Sequence, residues 1–174
     1  MFKEEREEPM FNWSLLGDID LGRPNLGPNM PVVVYRLMQF TLRDNMIKQF
    51  GVKKADEIFY QAGKVAGQEV YKNLVNETGD FNNFVSQLQS ILKNLGIGVL
   101  RVEKADLNNL NLLLTVSEDL DCSGLPVCEE EICVYDEGFI AGLLLGQTGR
   151  EFTVKEIDCW CSGDRVCRFE AKVK

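Results

Sequence analysis

Histidine is missing from this 174-residue chain, so any bound transition metal must be held by other side chains. Positive charge is also scarce: 19 lysines and arginines against 27 aspartates and glutamates leave a net charge of −8. A phosphate backbone requires a basic footprint, so nucleic acid is excluded as a partner, and an anionic membrane surface is disfavoured for the same reason. No apolar run is long enough to span a bilayer. The acidic opening Met1-Phe2-Lys3-Glu4-Glu5-Arg6-Glu7-Glu8 lacks the apolar stretch of a signal peptide. The expected compartment is therefore the cytoplasm, where thiols stay reduced and clustered cysteines bind metal more often than they pair. There is no GxGxxG after a strand, no Gly-x-Ser-x-Gly elbow and no phosphate loop, so the sequence favours a binding module over an enzyme.

What the chain does have is an ordinary globular composition, 45% hydrophobic and 26% charged, at a length that buries a real core in one domain. Residues 1–30 read as an extended lead-in, broken by Gly17, Gly22, Pro24, Gly27 and Pro28, with Trp13 and Leu15 suited to a short edge strand or a packed arm. Residues 31–174 read as a single domain. Val34, Leu37, Met38, Thr41 and Leu42 stand at helical spacing until Gly51. A second helix is expected from about Lys53 to Val75. A third is capped by Asp80, with Phe81, Phe84, Val85, Leu88, Ile91, Leu92 and Leu95 on one stripe. The period then changes. Ile97–Glu103 predicts a strand, and Leu110, Leu112, Leu114 and Val116 alternate as a half-buried strand does. Ile132–Gln147 predicts a helix, and Glu151–Ile157 with Val166–Val173 a closing hairpin. Helices followed by strands without βαβ alternation define an α+β fold, with helices packed on a twisted antiparallel sheet.

Six cysteines are the chemical signal. Three fall within Asp158-Cys159-Trp160-Cys161-Ser162-Gly163-Asp164-Arg165-Val166-Cys167. A three-residue Gly163-Asp164-Arg165 loop would set Cys161 opposite Cys167 and give Cys159, Cys161, Cys167 and Phe169 one face. Glu156 shares a strand face with Phe152 and Val154, so its carboxylate is buried and needs a cation or a set of donors. A bulge near Ile157-Asp158 would turn it and Cys159 to one centre. Cys133 opens a helix, where the dipole favours a thiolate. Together these groups suit a closed tetrahedral zinc site of three sulfurs and one oxygen. Other readings of the thiols stay open at this level: plain core residues, a disulfide involving Cys122 and Cys128, or iron–sulfur ligation.

Cys133-Val134-Tyr135-Asp136-Glu137-Gly138-Phe139-Ile140-Ala141-Gly142, followed by Glu156-x2-Cys159-x7-Cys167-Arg168-Phe169, resembles the 4-vinyl reductase domain family over roughly residues 120–174. The resemblance implies that Cys133, Glu156, Cys159 and Cys167 ligate a structural zinc ion, with Cys161 a possible alternate ligand. It implies a fold shared with haem-NO-binding domains and TRAPP-type tethering subunits. It also implies a sensory role: binding of a small hydrophobic molecule, with output through a protein partner. Reduction of a vinyl group on a tetrapyrrole-like substrate, or a dimeric scaffold, are the alternatives. The missing histidine argues against phenol as the ligand and against haem. Phe59, Tyr60, Phe139 and Trp160 are candidate pocket residues. The small-residue ridges Ala62, Gly63, Ala66, Gly67 and Gly138, Gly142, Gly146 suit tight helix packing inside the domain, or a homodimer contact or cavity wall.

Overall fold

A computed structural model describes residues 5, 7, 10–76 and 80–174; most of the charged head of the lead-in lies outside them. The lead-in forms a 3-10 turn at Trp13–Leu16 and one turn of helix, α1 (Ile19–Gly22), started by the Asp18 carboxylate on Leu21 N. The edge strand suggested for Trp13 and Leu15 is not formed. The segment packs as an arm instead, with Trp13 against the core and its N–H donated to Glu69 Oε2 at 2.6 Å.

Three long helices follow, α2 (Val32–Phe50), α3 (Val52–Leu74) and α4 (Phe81–Asn94), then β1 (Val99–Asp106), β2 (Asn111–Ser117), α5 (Val134–Thr148), β3 (Phe152–Asp158) and β4 (Cys167–Val173). Asp80 caps α4 by accepting from Asn83 N at 2.8 Å. Gly51, at φ +80°, allows α2 to end and α3 to begin within one residue. The sheet is antiparallel in the order β1-β2-β4-β3, so the fold is α+β with a C-terminal hairpin at the sheet edge. Strand β1 begins two residues later than the periodicity suggests, because the Ile97 carbonyl is taken by Leu120 N at 2.9 Å.

Register explains the core. Leu114 pairs with Phe169, and Phe169 with Glu156; Val116 pairs with Cys167. Their side chains alternate inward with Leu112, Ala171, Phe152 and Val154. Helices α4 and α5 cover that face, and α3 lies against α5. The α3–α5 contact is made by glycines: a Cβ at Gly63 or Gly67 would overlap the carbonyl oxygens of Tyr135 or Phe139, and one at Gly138 or Gly142 those of Tyr60 or Lys64. The small-residue ridges therefore serve packing inside this fold.

The hairpin departs from the three-residue loop. β3 stops at Asp158 and β4 starts at Cys167, with a 3-10 turn at Trp160–Ser162 between them. The cause is local polarity around Cys159: its carbonyl accepts from Ser162 N and Asp164 N, and its N–H goes to Ser162 Oγ. Cys161 is consequently not set opposite Cys167. The bulge is present, since the register skips from Glu156–Phe169 to Asp158–Arg168.

Candidate functional site

Four thiols meet where the sheet, the loop after β2 and the start of α5 converge. Cys133 is the N-cap of α5, Cys159 follows the β3 bulge, and Cys167 is the first residue of β4. Cys122 comes from the loop after β2, which folds around the Asp119 carboxylate: Oδ1 accepts from Asp121 N at 2.9 Å and Cys122 N at 3.1 Å. The Sγ atoms of Cys122, Cys133, Cys159 and Cys167 all lie within 4.8 Å of one another, and all four residues are buried. Cys133 Sγ is 3.9 Å from Cys159 Sγ and 3.8 Å from Cys167 Sγ. Ligand bonds of about 2.3 Å give a tetrahedron with edges of about 3.8 Å. The Cys122–Cys167 edge is shorter, 3.0 Å. All six cysteines are free thiols.

Mutual hydrogen bonding makes these thiols unequal. The other three donate towards Cys159 and hold its thiol well below the ordinary range, while Cys133 and Cys167 are driven up. Without a cation, one sulfur carries the charge and its neighbours keep their protons; a divalent ion would stabilise all four as thiolates.

Glu156 sits beside this group, 1% exposed. Its Oε2 accepts Cys133 N at 3.0 Å, and its Oε1 has no hydrogen-bond partner among the described residues. Burial pushes its carboxyl up to about 8, against the lowering effect of the Cys133 N–H. Glu137, on the first turn of α5, accepts Glu156 N at 2.9 Å and Lys155 Nζ at 3.0 Å through the same oxygen, which fixes β3 against the helix. Cys161 is buried outside the four-thiol group; its carbonyl accepts Cys128 N and Glu129 N, and burial, followed by Cys159, pushes its thiol up to about 12. Cys128 is exposed.

Cys133, Cys159 and Cys167 are thus brought together as their spacing suggests. Cys122 joins them, and its place was not readable from spacing. The signal lies in register: Val116 pairs with Cys167, so the loop leaving β2 must start beside that thiol.

An apolar cavity lies next to the thiols, between α4, α5 and the inner face of β1 and β2. Phe84, Leu88, Leu100, Leu114 and Phe139 are among its walls, and Asp119 and Asp136 are its only ionisable lining residues among those described. Its volume open to the centres of water molecules is about 30 Å³, room for one or two waters. Of the candidate pocket residues, Phe139 lines it. Phe59 is buried under the Arg43 guanidinium at 5.5 Å, Tyr60 packs at the core's edge, and Trp160 donates Nε1–H to Leu125 O at 2.9 Å.

An α+β domain with a four-thiol centre at the edge of an apolar cavity defines a class of small domains in which a clasped sheet backs a ligand-sized space. The family model for the vinyl-4-reductase (V-4-R) domain matches residues 112–173, from β2 to the end of β4, and this segment belongs to that family. Three solved structures share the fold. The phenol-responsive sensory domain of the transcription activator PoxR, solved with phenol, has a TM-score of 0.66 at 16% identity over 83% of this chain and 75% of its own. A vinyl-4-reductase family protein from Methanocaldococcus jannaschii has a TM-score of 0.60 at 20% identity, covering 85% and 84%. A trafficking protein particle complex subunit 3 from Naegleria fowleri, covalently bound to palmitic acid, has a TM-score of 0.63 at 12% identity, covering 82% and 95%. Among the described residues, no helix is long and apolar enough to cross a membrane.

Proposed function

We propose that this chain is a binding or sensory module for a small hydrophobic molecule, with one structural zinc ion clasping the closing hairpin to α5. The observation that carries the reading is the placement of an apolar cavity directly against the buried four-thiol group. Cys133, Cys159 and Cys167 supply three ligands. The fourth is Cys122 in this geometry, while Glu156 holds the Cys133 backbone and lies close enough to exchange with it. Thiolate donors suit zinc better than calcium or magnesium. Four protein ligands leave no open position for water or substrate, so the metal shapes the domain and does not itself react.

The sensory domain with phenol and the subunit carrying palmitic acid support the ligand class, since each holds an apolar molecule within a related fold. Output would pass to a protein partner. We also infer a homodimer through α2, where Val33, Leu37 and Met38 are 61%, 60% and 62% exposed; a contiguous apolar face of this kind is covered in most soluble proteins.

Native mass spectrometry of the purified chain tests the ligand reading. A retained small apolar molecule, or saturable binding of added aromatic or acyl compounds, is expected. A chain that carries none and takes up none would overturn it.

A further inference from the structure

The inner end of the cavity carries the wrong charge for a purely apolar guest. Asp136 projects from the first turn of α5, is 8% exposed, and its Oδ2 has no hydrogen-bond partner among the described residues. Its strongest charged neighbours, Asp121 and Asp119, followed by Cys167 and Glu156, are all acidic or can become so. Asp121 is satisfied from α2: Tyr35 Oη–H donates to Oδ1 at 2.8 Å and Gln39 Nε2–H to Oδ2 at 2.6 Å. Arg36, the nearby cation, gives its guanidinium to the carbonyls of Leu120 at 2.8 Å and Ser123 at 2.9 Å. Asp119 is tied to Asp121 N and Cys122 N. Of these three aspartates, Asp136 alone is left aimed into open space.

That space is continuous with the outside. A cleft beneath α2, of about 220 Å³ open to water centres and lined by Tyr35, Ala66 and Tyr135, shares Ile97, Asp136 and Phe139 with the apolar cavity. Asp136 therefore stands at the junction of a wider mouth and an apolar interior. A buried carboxylate without a partner is unfavourable unless a cation or donor reaches it. A thiolate-rich metal centre beside it would add negative charge.

We propose that Asp136, with Asp119 behind it, is a cation-recognising head site, and that the ligand is an amphiphilic amine with its ammonium group at Asp136 and its apolar tail between α4, α5 and the sheet. This deepens the reading of the cavity as a ligand site and rests on it. The ammonium supplies both the counter-charge and the donor that Asp136 lacks, and the tail displaces side chains of α4 such as Phe84 and Leu88. A carboxylate-bearing ligand of the same shape is repelled.

Isothermal titration of the metal-loaded full chain with 2-phenylethylamine, 2-phenylethanol and phenylacetate tests this. The amine is expected to bind at least tenfold more tightly than the alcohol, and phenylacetate not to bind. Asp136→Asn should weaken the amine at least tenfold while leaving the alcohol within about threefold. Equal affinity of amine and alcohol for the unaltered chain, or tighter binding of phenylacetate, overturns the head site while leaving the apolar cavity intact. Binding of none of the three overturns both. The comparison among ligands on the unaltered chain needs no variant, so a poorly folding Asp136→Asn does not blunt the test.

Discussion

Glu156 accepts the backbone N–H of Cys133 at 3.0 Å, across 23 residues of sequence. The contact ties the bulged end of β3 to the first residue of α5. It places a nearly inaccessible carboxylate against the thiol group, where it orders a ligand backbone and leaves one oxygen free.

Ligand variants should separate the roles of these neighbours. Cys122→Ala is expected to weaken zinc binding by at least a hundredfold, because it removes a thiolate from the four. Glu156→Gln keeps an acceptor for Cys133 N and should weaken binding by only about 10–100-fold, the range seen for groups that support metal ligands. Cys161→Ala, outside the group, should leave one zinc per chain. Competition with a chromogenic chelator measures all three; a larger loss for Glu156→Gln than for Cys122→Ala would assign the fourth position to the carboxylate.

The α3–α5 contact has no room for a methyl group. Gly138→Ala pushes a Cβ into the Tyr60 carbonyl, and overpacking of this kind costs about 1–3 kcal/mol. Because backbone is struck on both helices, the upper end is expected in urea unfolding. Gly124→Ala, where open space surrounds the position but φ is +90°, should cost less, about 1 kcal/mol.

Asp136 gives the domain a distinct pH response. Burial, then repulsion from Asp121 and Asp119, raises its carboxyl well above the ordinary value of 3.8. The folded state therefore keeps a proton that the unfolded state releases, so its contribution is fully present below that ordinary value and is lost as pH rises towards the raised folded value. Asp136→Asn removes this loss. Thermal melts should show the variant ahead of the parent at pH 8 by a few degrees, with the gap closing towards pH 4; a gap that widens in acid would contradict the burial account.

The exposed face of α2 predicts self-association. Leu37→Glu combined with Met38→Glu should convert a dimer to a monomer in light scattering, with little change in melting temperature because both side chains are largely in solvent. A parent chain that is already monomeric at micromolar concentration would remove the basis for this interface.

Much of the fold was legible because its signals are local. The Phe81–Leu92 stripe with Asp80 in front, the alternation from Leu110 to Val116, and the Gly51 break each fix an element within a residue or two of where it lies. The β3 bulge was legible for a different reason: a carboxylate and a thiol three residues apart cannot share a face on a regular strand. What escaped depended on distant pairing. Cys122 reaches the thiol group only through the β2–β4 register and the turn around Asp119, neither of which has a local pattern. The hairpin loop was misjudged because Ser162 and Asp164 compete for the Cys159 backbone, and that competition outweighs the glycine turn signal. The cavity walls come from α4 and the sheet because α3 is held against the far side of α5 by glycine contacts, which removes Phe59 and Tyr60 from the enclosed space.

Metal content measured together with melting temperature, before and after a strong chelator, tests the central claim most directly. The account predicts one zinc per chain, and a chelated protein that melts at a clearly lower temperature with the β3–β4 hairpin and the start of α5 losing protection in hydrogen exchange. A protein purified without metal, unable to take up zinc, or melting at the same temperature after zinc is stripped would contradict it.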